Sequence, residues 1–516
     1  MTARTCGVVV LGVEGHVIDV EVHISHGMVG TTIVGLPDTA VGESRDRARA
    51  AIQNSGCSWP ERKITIGLSP ASLHKRGPML DLAIAVSVLA TDGQVPAERI
   101  AELVCVGELA LNGRVQPMTG TVVAALGAVR AGRRRLVVPR ANVAEAQLVP
   151  ELEVHGVSCL AELVAWLRDQ PWEPDSESTS GAGSTLATEL IPGIDAPLDL
   201  VDVRGQSVAR KALEIAAAGG HHLAMLGPPG VGKTLLAERL PGLLPELDRA
   251  AALEVTAIHS VAGRLPANSG LVTRAPFEAP HHTATFVAMV GGGAAVPRVG
   301  LASLAHRGVL FLDEAPEFST RVLDALRQPL ESGAVAIARA GYSLKFPARF
   351  QLVLAANPCP CGNASSTTQA CRCTPVQRTR YLQRLSGPLM DRVDLRVILE
   401  RPTRAELLTD EPEPTSAVAE RVLRARTAAA QRLAGTPWRV TCDVPASALR
   451  TQWPLQASAS AVLSRALDSG VLSARGADRV VRLAWTIADL AERPMPEARD
   501  VMTALHMRDA AGAWAA

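Results

Sequence analysis

The stretch that decides the fold of this chain is Gly227-Pro228-Pro229-Gly230-Val231-Gly232-Lys233-Thr234. An apolar run at residues 223–226 precedes it, and a helix-forming run that begins at Leu235 follows it. The glycines let successive backbone N–H groups turn around a phosphate, and the following helix points its positive end at that phosphate. The order strand, loop, helix therefore predicts a nucleotide-binding loop at residues 227–235. Lys233 would reach the β- and γ-phosphates of ATP, and the Thr234 hydroxyl would bind Mg²⁺.

Two further apolar runs end in side chains suited to nucleotide chemistry. One leads into Asp313 and Glu314, about 80 residues after the loop. The Asp313 carboxylate is expected to hold Mg²⁺, and Glu314 is expected to orient the water that attacks the γ-phosphate. The other run leads into Asn357, whose amide would help to position that water. The alternative for Asn357 is capping of a turn before Pro358.

Three arginines are candidates for stabilising the charge that develops on the γ-phosphate oxygens. We assign Arg392 to a nucleotide held by a neighbouring subunit, and Arg475 to the nucleotide of its own subunit. Arg384 is the rival of Arg392. A surface salt bridge is the alternative for any single arginine, so the assignment depends on the set.

Four of the nine cysteines fall close together, as Cys359, Cys361, Cys371 and Cys373 in the pattern C-x-C-x₉-C-x-C. Four thiolates on polar loops that can fold back suit a tetrahedral Zn²⁺ site. Because C-x-C is a less usual chelate than C-x-x-C, four reduced thiols in a loop remain the alternative. The other five cysteines are scattered and are predicted to be small core residues.

The composition limits the partners and the location. The 516 residues include 52 Lys and Arg and 51 Asp and Glu, so a formal net charge of +1 produces no overall attraction to nucleic acid. Contact with DNA would need a local basic surface. No apolar stretch reaches the roughly 20 residues that span a bilayer, and the first 20 residues lack the pattern of a secretion signal. We therefore expect a soluble cytoplasmic protein without a membrane partner.

Hydrophobic periodicity divides the chain into three domains and a linker. Residues 1–168 alternate short apolar runs with helical stretches, which predicts an α/β domain. Residues 169–195 are rich in Pro, Ser, Thr, Glu and Gly, as in a linker. Residues 196–400 contain the phosphate loop and predict a second α/β domain, and residues 401–516 predict a small helical domain.

These motifs together resemble those of an AAA+ ATPase. Three further stretches narrow the resemblance to the magnesium-chelatase-like branch, and within it to the ComM/YifB type. They are APHHTAT at residues 279–285, GGG at 291–293 with Pro297-Arg298, and NPCPCG at 357–362. The resemblance covers nearly the whole chain and implies an AAA+ P-loop α/β core followed by an all-α lid.

The N-terminal domain resembles the proteolytic domain of Lon, through KRGPMLDLA at residues 75–83 and GELALNGRV at residues 107–115. The resemblance implies a nucleophilic Ser directly after Gly-Pro and a Lys base a little beyond the second motif. This chain has Met79 and Val122 there. Neither side chain can attack a carbonyl or accept a proton, so we expect an inactive domain that stabilises a ring or binds a partner.

The resemblance also implies two pore-facing segments. It places His281 and His282 in an insert that faces the central pore, where ordered loop histidines are expected in preference to metal ligands. Residues 331–346 are predicted to form a hairpin that projects into the channel. Arg339 and Lys345 would then meet a nucleic-acid backbone, with a solvated turn as the alternative.

The leading function implied by the resemblance is that of an ATP-hydrolysing hexameric ring motor. It would be a helicase that promotes branch migration of single-stranded or branched DNA during homologous recombination and natural transformation. The alternative is a chelatase motor subunit that remodels a partner inserting Mg²⁺ into a porphyrin. The fused Lon-like domain favours DNA, since the resemblance implies that the chelatase motor subunit lacks it. A third hypothesis, an ATP-dependent protease, is opposed by Met79 and Val122.

Overall fold

A computed structural model describes residues 2–75, 77–172, 198–266, 268–293, 297–339, 342–364, 370–470 and 472–509. The chain forms two compact units: Met1–Ile191 with Ala252–Val272, and Pro192–Ala251 with Thr273–Ala516. The sequence did not predict that residues 252–272 belong to the first unit. Most of the predicted linker, from residue 173 onward, lies outside the described residues, and the predicted domain boundaries stay predictions.

The first unit is built on a seven-stranded sheet. Strands β1 and β2 form a long antiparallel hairpin, and β5, β8 and β9 extend the sheet in parallel on the other side of β1. The spatial order is β3-β4-β2-β1-β5-β8-β9, and β6 pairs with β7 in a separate ribbon. The strands are β1 (Thr2–Leu11), β2 (Glu14–Ser25), β3 (Gly30–Val34), β4 (Lys63–Ser69), β5 (Leu103–Cys105), β6 (Glu108–Leu109), β7 (Val115–Gln116), β8 (Arg135–Pro139) and β9 (Glu153–Val157).

Helices supply the two hydrophobic clusters that bury this sheet. Side chains of the first, second and sixth helices pack in one cluster, and those of the fourth and fifth pack in the other. Covering both faces is what a largely parallel sheet requires, so the predicted α/β class is confirmed. The helices are α1 (Thr39–Asn54), α2 (Asp81–Thr91), α3 (Ala97–Ile100), α4 (Thr121–Arg130), α5 (Val143–Ala146) and α6 (Leu160–Leu167).

The second unit is built on a five-stranded sheet in the order β11-β14-β17-β10-β18, with every pair parallel. Because β17 lies between β10 and β14, the loops that follow these three strands emerge side by side at one edge. The strands are β10 (Leu223–Leu226), β11 (Phe277–Glu278), β12 (Gly291–Gly292), β13 (Arg298–Val299), β14 (Val309–Leu312), β15 (Ala334–Arg339), β16 (Tyr342–Pro347), β17 (Gln351–Ala356) and β18 (Leu395–Ile398).

Helices follow most of these strands and then take over the end of the chain. Those of the second unit up to residue 390 are α7 (Ser207–Gly219), α8 (Lys233–Leu243), α10 (Phe286–Val290), α11 (Leu301–Leu304), α12 (Thr320–Ala325), α13 (Arg327–Ser332), α14 (Pro375–Leu382) and α15 (Gly387–Met390), whereas α9 (Arg249–Val261) lies mostly in the first unit. The predicted all-α lid consists of α16 (Arg404–Thr409), α17 (Thr415–Arg432), α18 (Ala446–Gln452), α19 (Ala457–Asp468), α20 (Ala474–Leu490) and α21 (Ala498–Asp509). Buried side chains of α20 share one hydrophobic cluster with β10, so the lid packs on a face of the sheet.

The predicted hairpin at residues 331–346 is confirmed, since β15 and β16 pair antiparallel from Ala334 with Pro347 to Arg339 with Tyr342. The Lys345 side chain is exposed, whereas the Arg339 side chain lies outside the described residues. Across the part of the chain that the structure describes, no helix is both long and apolar enough to cross a bilayer.

Candidate functional site

The phosphate loop connects the buried strand β10 to α8 and requires glycine at several positions. Gly230 and Gly232 have φ of +77° and +93°, a backbone conformation that residues with a Cβ adopt only at an energetic cost. A Cβ added at Gly227 would lie 2.6 Å from the Leu399 carbonyl oxygen. The start of the phosphate loop and the segment just after β18 are therefore too close to each other for any side chain at this position. Helix α8 begins at Lys233, and its N-terminus therefore faces the loop.

The Lys233 ammonium is buried and bonded to uncharged acceptors. Its Nζ donates to the carbonyl oxygens of Gly227 and Pro228 at 2.6 and 3.0 Å and to Asn357 Oδ1 at 2.9 Å. Burial lowers the pKa of Lys233, and the carboxylates of Asp313 and Glu314 partly offset this effect. A buried cation whose three acceptors are neutral would gain most from an anionic phosphate, so this environment fits a nucleotide.

Thr234 and Asp313 supply adjacent oxygen donors. The Thr234 hydroxyl donates to Asp313 Oδ2 at 2.7 Å, and Asp313 Oδ1 accepts from the Glu314 backbone N–H at 2.8 Å. Hydroxyl and carboxylate oxygens are the hard ligands that Mg²⁺ takes in proteins. The pair therefore fits a Mg²⁺ ion bound beside the phosphates.

Glu314 has a left-handed backbone, with φ of +50°, and a half-exposed side chain. His282 Nδ1 lies 3.5 Å from Glu314 Oε2, and the rings of His281 and His282 are 4.1 Å apart. The position of both histidines in a pore-facing insert stays a prediction, and His282 lies beside the carboxylate expected to orient water. The reason is topological: β11 pairs in parallel with β14, so the chain after β11 leaves the sheet at the same edge as Glu314.

Arg392 and Arg475 lie at the other edge of the sheet. Strand β18 pairs in parallel with β10, with Leu395 opposite Leu223, so the residues just before β18 lie at the end of the sheet opposite the phosphate loop. Arg392 contacts Glu331, and Arg475 Nη1 is 4.0 Å from Asp391 Oδ2. The within-subunit role predicted for Arg475 is therefore not supported by this arrangement, because the length of the sheet separates it from the loop.

Arg384 is the arginine on the side of the phosphate loop. Its Nη1 donates to the Pro316 carbonyl at 3.0 Å and to Glu317 Oε2 at 3.2 Å, in the short 3₁₀ turn that follows Glu314. Arg384 and Arg392 were alternatives for one role because they are close in sequence. In the structure they lie at opposite ends of the sheet, with α15 between them.

A buried polar network fixes the edge that carries Arg392 and Arg475. The Asp394 carboxylate pairs with Arg479 of α20 and lies 3.6 Å from His221 Nδ1. His222 Nδ1 accepts from the Leu352 backbone N–H at 3.0 Å. Burial lowers the pKa of His222 to about 4, so this ring is neutral at pH 7. The network joins β10, β17 and β18 to the start of the helix that carries Arg475.

The four clustered cysteines lie together. The Sγ atom of Cys359 is 3.4 Å from that of Cys361 and 3.6 Å from that of Cys371, and all four sulfurs, including that of Cys373, are within 4.8 Å of one another. Cys359 is buried. Hydrogen bonds from the backbone N–H groups of residues 363 and 372 lower the pKa of Cys361 to about 6. The geometry is that of a site able to bind a metal ion.

In the first unit, the positions expected of a Lon nucleophile and base belong to one hydrophobic cluster. Val122 is fully buried in it, and Met79 packs against it. These two side chains make an apolar contact surface and supply no acid–base chemistry.

Gln206 and Tyr381 also support the site, although neither lies in a motif that the sequence reveals. Gln206 Nε2 donates to the Val231 carbonyl of the phosphate loop at 3.3 Å and to the Glu400 carbonyl at 2.6 Å. Burial raises the pKa of Tyr381, whose hydroxyl is hydrogen-bonded to the Asn357 backbone. Both contacts join segments far apart in the sequence, so only the fold reveals them.

The fold and the site define the class of the protein. The phosphate loop follows the first strand of the sheet, Asp313 and Glu314 follow the third, and Asn357 follows the strand inserted between them. A helical lid completes the module. This is a P-loop ATPase module of the AAA+ class.

Comparisons with known proteins cover all three predicted regions. Residues 199–407 match the family described as magnesium chelatase, subunit ChlI, and residues 412–508 match the C-terminal family of that subunit. Residues 20–142 match the family described as subunit ChlI of Mg-chelatase. The description of this third family names the chelatase subunit, so the N-terminal domain does not by itself favour a DNA motor over a chelatase motor.

Full-length relatives narrow the assignment. The chain is 48% identical to the protein Rv2897c of Mycobacterium tuberculosis over 98% of both chains. It is 41% identical to YifB of Escherichia coli over 97% of this chain and 94% of YifB, and 40% identical to the competence protein ComM of Haemophilus influenzae over 93% and 92%. A weaker similarity, 26% over 146 residues, links 27% of the chain to 18% of the Lon protease of Trichlorobacter lovleyi. The chain belongs to the ComM/YifB family of magnesium-chelatase-like AAA+ ATPases.

Proposed function

We propose that this protein is an ATP-driven ring motor, a hexamer, that acts on single-stranded or branched DNA as a branch-migration helicase. Homologous recombination and natural transformation are the processes that need this activity, and a cytoplasmic location belongs to the same proposal. The AAA+ site supports the ATPase part, and the relatives support the DNA part.

In the hydrolytic step, the residues around the loop have separate tasks. Lys233 and the loop amides bind the phosphates, and Thr234 and Asp313 would hold Mg²⁺, which would neutralise phosphate charge. Glu314 orients and deprotonates the attacking water, while Asn357 holds that water in line. His282, beside Glu314, positions its carboxylate.

A ring accounts for the location of the arginines. Arg392 and Arg475 lie at the edge of the sheet opposite the loop of their own subunit, where an adjacent subunit would present its nucleotide. Both would then stabilise the γ-phosphate charge from the neighbouring chain, and turnover would require assembly. This revises the role expected for Arg475 and keeps that expected for Arg392.

The observation that carries the DNA part is the end-to-end similarity to ComM, whose name assigns it to competence and whose aligned length includes the N-terminal domain. The exposed Lys345 on the β15–β16 hairpin offers a point charge for a nucleic-acid backbone. The alternative, a motor subunit of the magnesium-chelatase type, is favoured by the descriptions of the three matching families.

The test is to measure ATP turnover of the purified chain alone, with single-stranded DNA, with forked DNA, and with a chelatase partner. We expect DNA to raise turnover and the partner to leave it unchanged. Lys233→Ala, which removes the buried ammonium, controls for contaminating ATPases. Turnover raised by the chelatase partner and unaffected by either DNA would overturn the DNA assignment in favour of the alternative.

A further inference from the structure

The cysteine cluster lies directly against the phosphate loop. Residues 359–362 form a turn closed by the Gly362 N–H, which donates to the Cys359 carbonyl at 2.9 Å. Gly362 has φ of +76°, and a Cβ added there would lie 2.5 and 2.6 Å from Cγ and Cδ of Pro229. The turn that carries two of the four thiols therefore packs on the phosphate loop with no room for a side chain between them.

A second connection runs through the backbone. Cys359 follows Asn357 by two residues, and Asn357 Oδ1 accepts from Lys233 Nζ at 2.9 Å. Cys359 is also the buried member of the cluster. A metal ion bound to its sulfur would therefore anchor the turn on which Pro229 rests, close to the residue that contacts Lys233.

The sulfur positions fit a single tetrahedral metal ion. A tetrahedral Zn²⁺ with bonds of about 2.3 Å requires sulfurs about 3.8 Å apart. Three of the Sγ separations are 3.4 to 3.6 Å, and all four sulfurs lie within 4.8 Å of one another, close to that value. An iron–sulfur cluster, which places several metal ions between its cysteines, requires the sulfurs to be farther apart than this.

We propose that Cys359, Cys361, Cys371 and Cys373 bind one Zn²⁺ that braces Pro229 of the phosphate loop, so that metal occupancy sets the affinity of that loop for ATP. The effect of the metal on ATP affinity rests on the proposed ATPase function, whereas the binding of Zn²⁺ does not. Either part can therefore fail without the other.

The first experiment measures metal in the purified full-length chain. We expect about one Zn²⁺ per chain and, after exchange with Co²⁺, the intense visible bands of a tetrahedral thiolate site. Cys371→Ser should lose the metal, whereas Cys57→Ser, which changes a cysteine of the other unit, should keep it. Wild-type protein without zinc, or with iron in its place, would overturn the metal site and leave the ATPase assignment standing.

The second experiment tests the brace without altering a thiol. Gly362→Ala should retain Zn²⁺ yet bind a fluorescent ATP analogue about tenfold more weakly or worse, because Pro229 must move. The matched control is Gly435→Ala, since Gly435 has a similar φ of +78° and no atom within 4 Å of an added Cβ. Chelation of the wild-type metal should weaken ATP binding, and added ZnCl₂ should restore it. Unchanged ATP affinity in Gly362→Ala and in the metal-free protein would refute the coupling.

Discussion

Replacing Asn357 should change ATP affinity in a direction set by the acceptor left for Lys233. Asn357 Oδ1 accepts from the buried Lys233 ammonium at 2.9 Å. A hydrogen bond to a charged group contributes about 1.5–3 kcal/mol, and ATP must compete with it. Asn357→Ala removes this competitor while two backbone acceptors remain, so we expect ATP to bind up to about tenfold more tightly, which corresponds to about 1.4 kcal/mol. Hydrolysis should fall about 10²-fold, because the attacking water loses its positioning amide.

Asn357→Asp is the matched variant with the opposite sign. It keeps an oxygen at the same place but adds a charge, and two unit charges 4 Å apart at an effective dielectric constant of 20 interact by about 4 kcal/mol. The aspartate should hold Lys233 and repel the γ-phosphate, so ATP should bind at least about 100-fold more weakly. The assay is titration with a fluorescent ATP analogue, followed by single-turnover hydrolysis. If both variants shift the affinity in the same direction, the contact between Lys233 and Asn357 does not compete with ATP.

Three further predictions follow from the site. Glu314→Gln should bind ATP as tightly as the wild type but hydrolyse it about 10²–10⁴-fold more slowly, and unchanged single-turnover hydrolysis would contradict the role of Glu314 as general base. Arg392→Ala should keep ATP binding and lose turnover, and mixing it with Glu314→Gln subunits should restore part of the activity; no recovery in assembled mixed rings would contradict a shared site. His222 is partly buried and its pKa is lowered from 6.5 to about 4, so the unfolded state takes up a proton first as the pH falls. The contribution of His222 to stability should be constant above pH 6.5 and decrease by about 3 kcal/mol between pH 6.5 and pH 4, as measured by urea unfolding against the His222→Gln variant. His222→Gln should lose this part of the pH dependence, and an unchanged slope would refute it.

The sequence predicted well wherever chemistry and hydrophobic pattern coincide over a short stretch. The apolar runs that precede the phosphate loop, Asp313 and Asn357 are the strands β10, β14 and β17. Their carboxyl ends are followed by the phosphate loop, the acidic pair and Asn357. Parallel pairing alone brings these ends together, so no other sequence signal is needed. The cysteine cluster was predictable for the same reason, since four thiols within 15 residues can meet by local folding alone.

The sequence failed where position depends on the order of strands. Nothing in the local pattern shows that the chain crosses the sheet between Arg384 and Arg392, or that Arg475 lies beside Asp391 at the edge away from the loop. The short strand Leu395–Ile398 contains an arginine and gave no clear period, so its parallel pairing with β10 was not predicted. The contact of His282 with Glu314 was not predicted, because it depends on the pairing of β11 with β14. The contact of Gly362 with Pro229 joins segments more than 100 residues apart and has no sequence signal.

The most direct test of the account is a strand-exchange assay on a reconstituted three-stranded DNA junction. The assay would use wild-type protein with ATP, wild-type protein with a non-hydrolysable analogue, and Glu314→Gln with ATP. We expect the junction to migrate only with wild-type protein and ATP. A wild-type ring that hydrolyses ATP at an undiminished rate, binds the junction and leaves it unmoved would contradict the claim that hydrolysis drives movement along DNA.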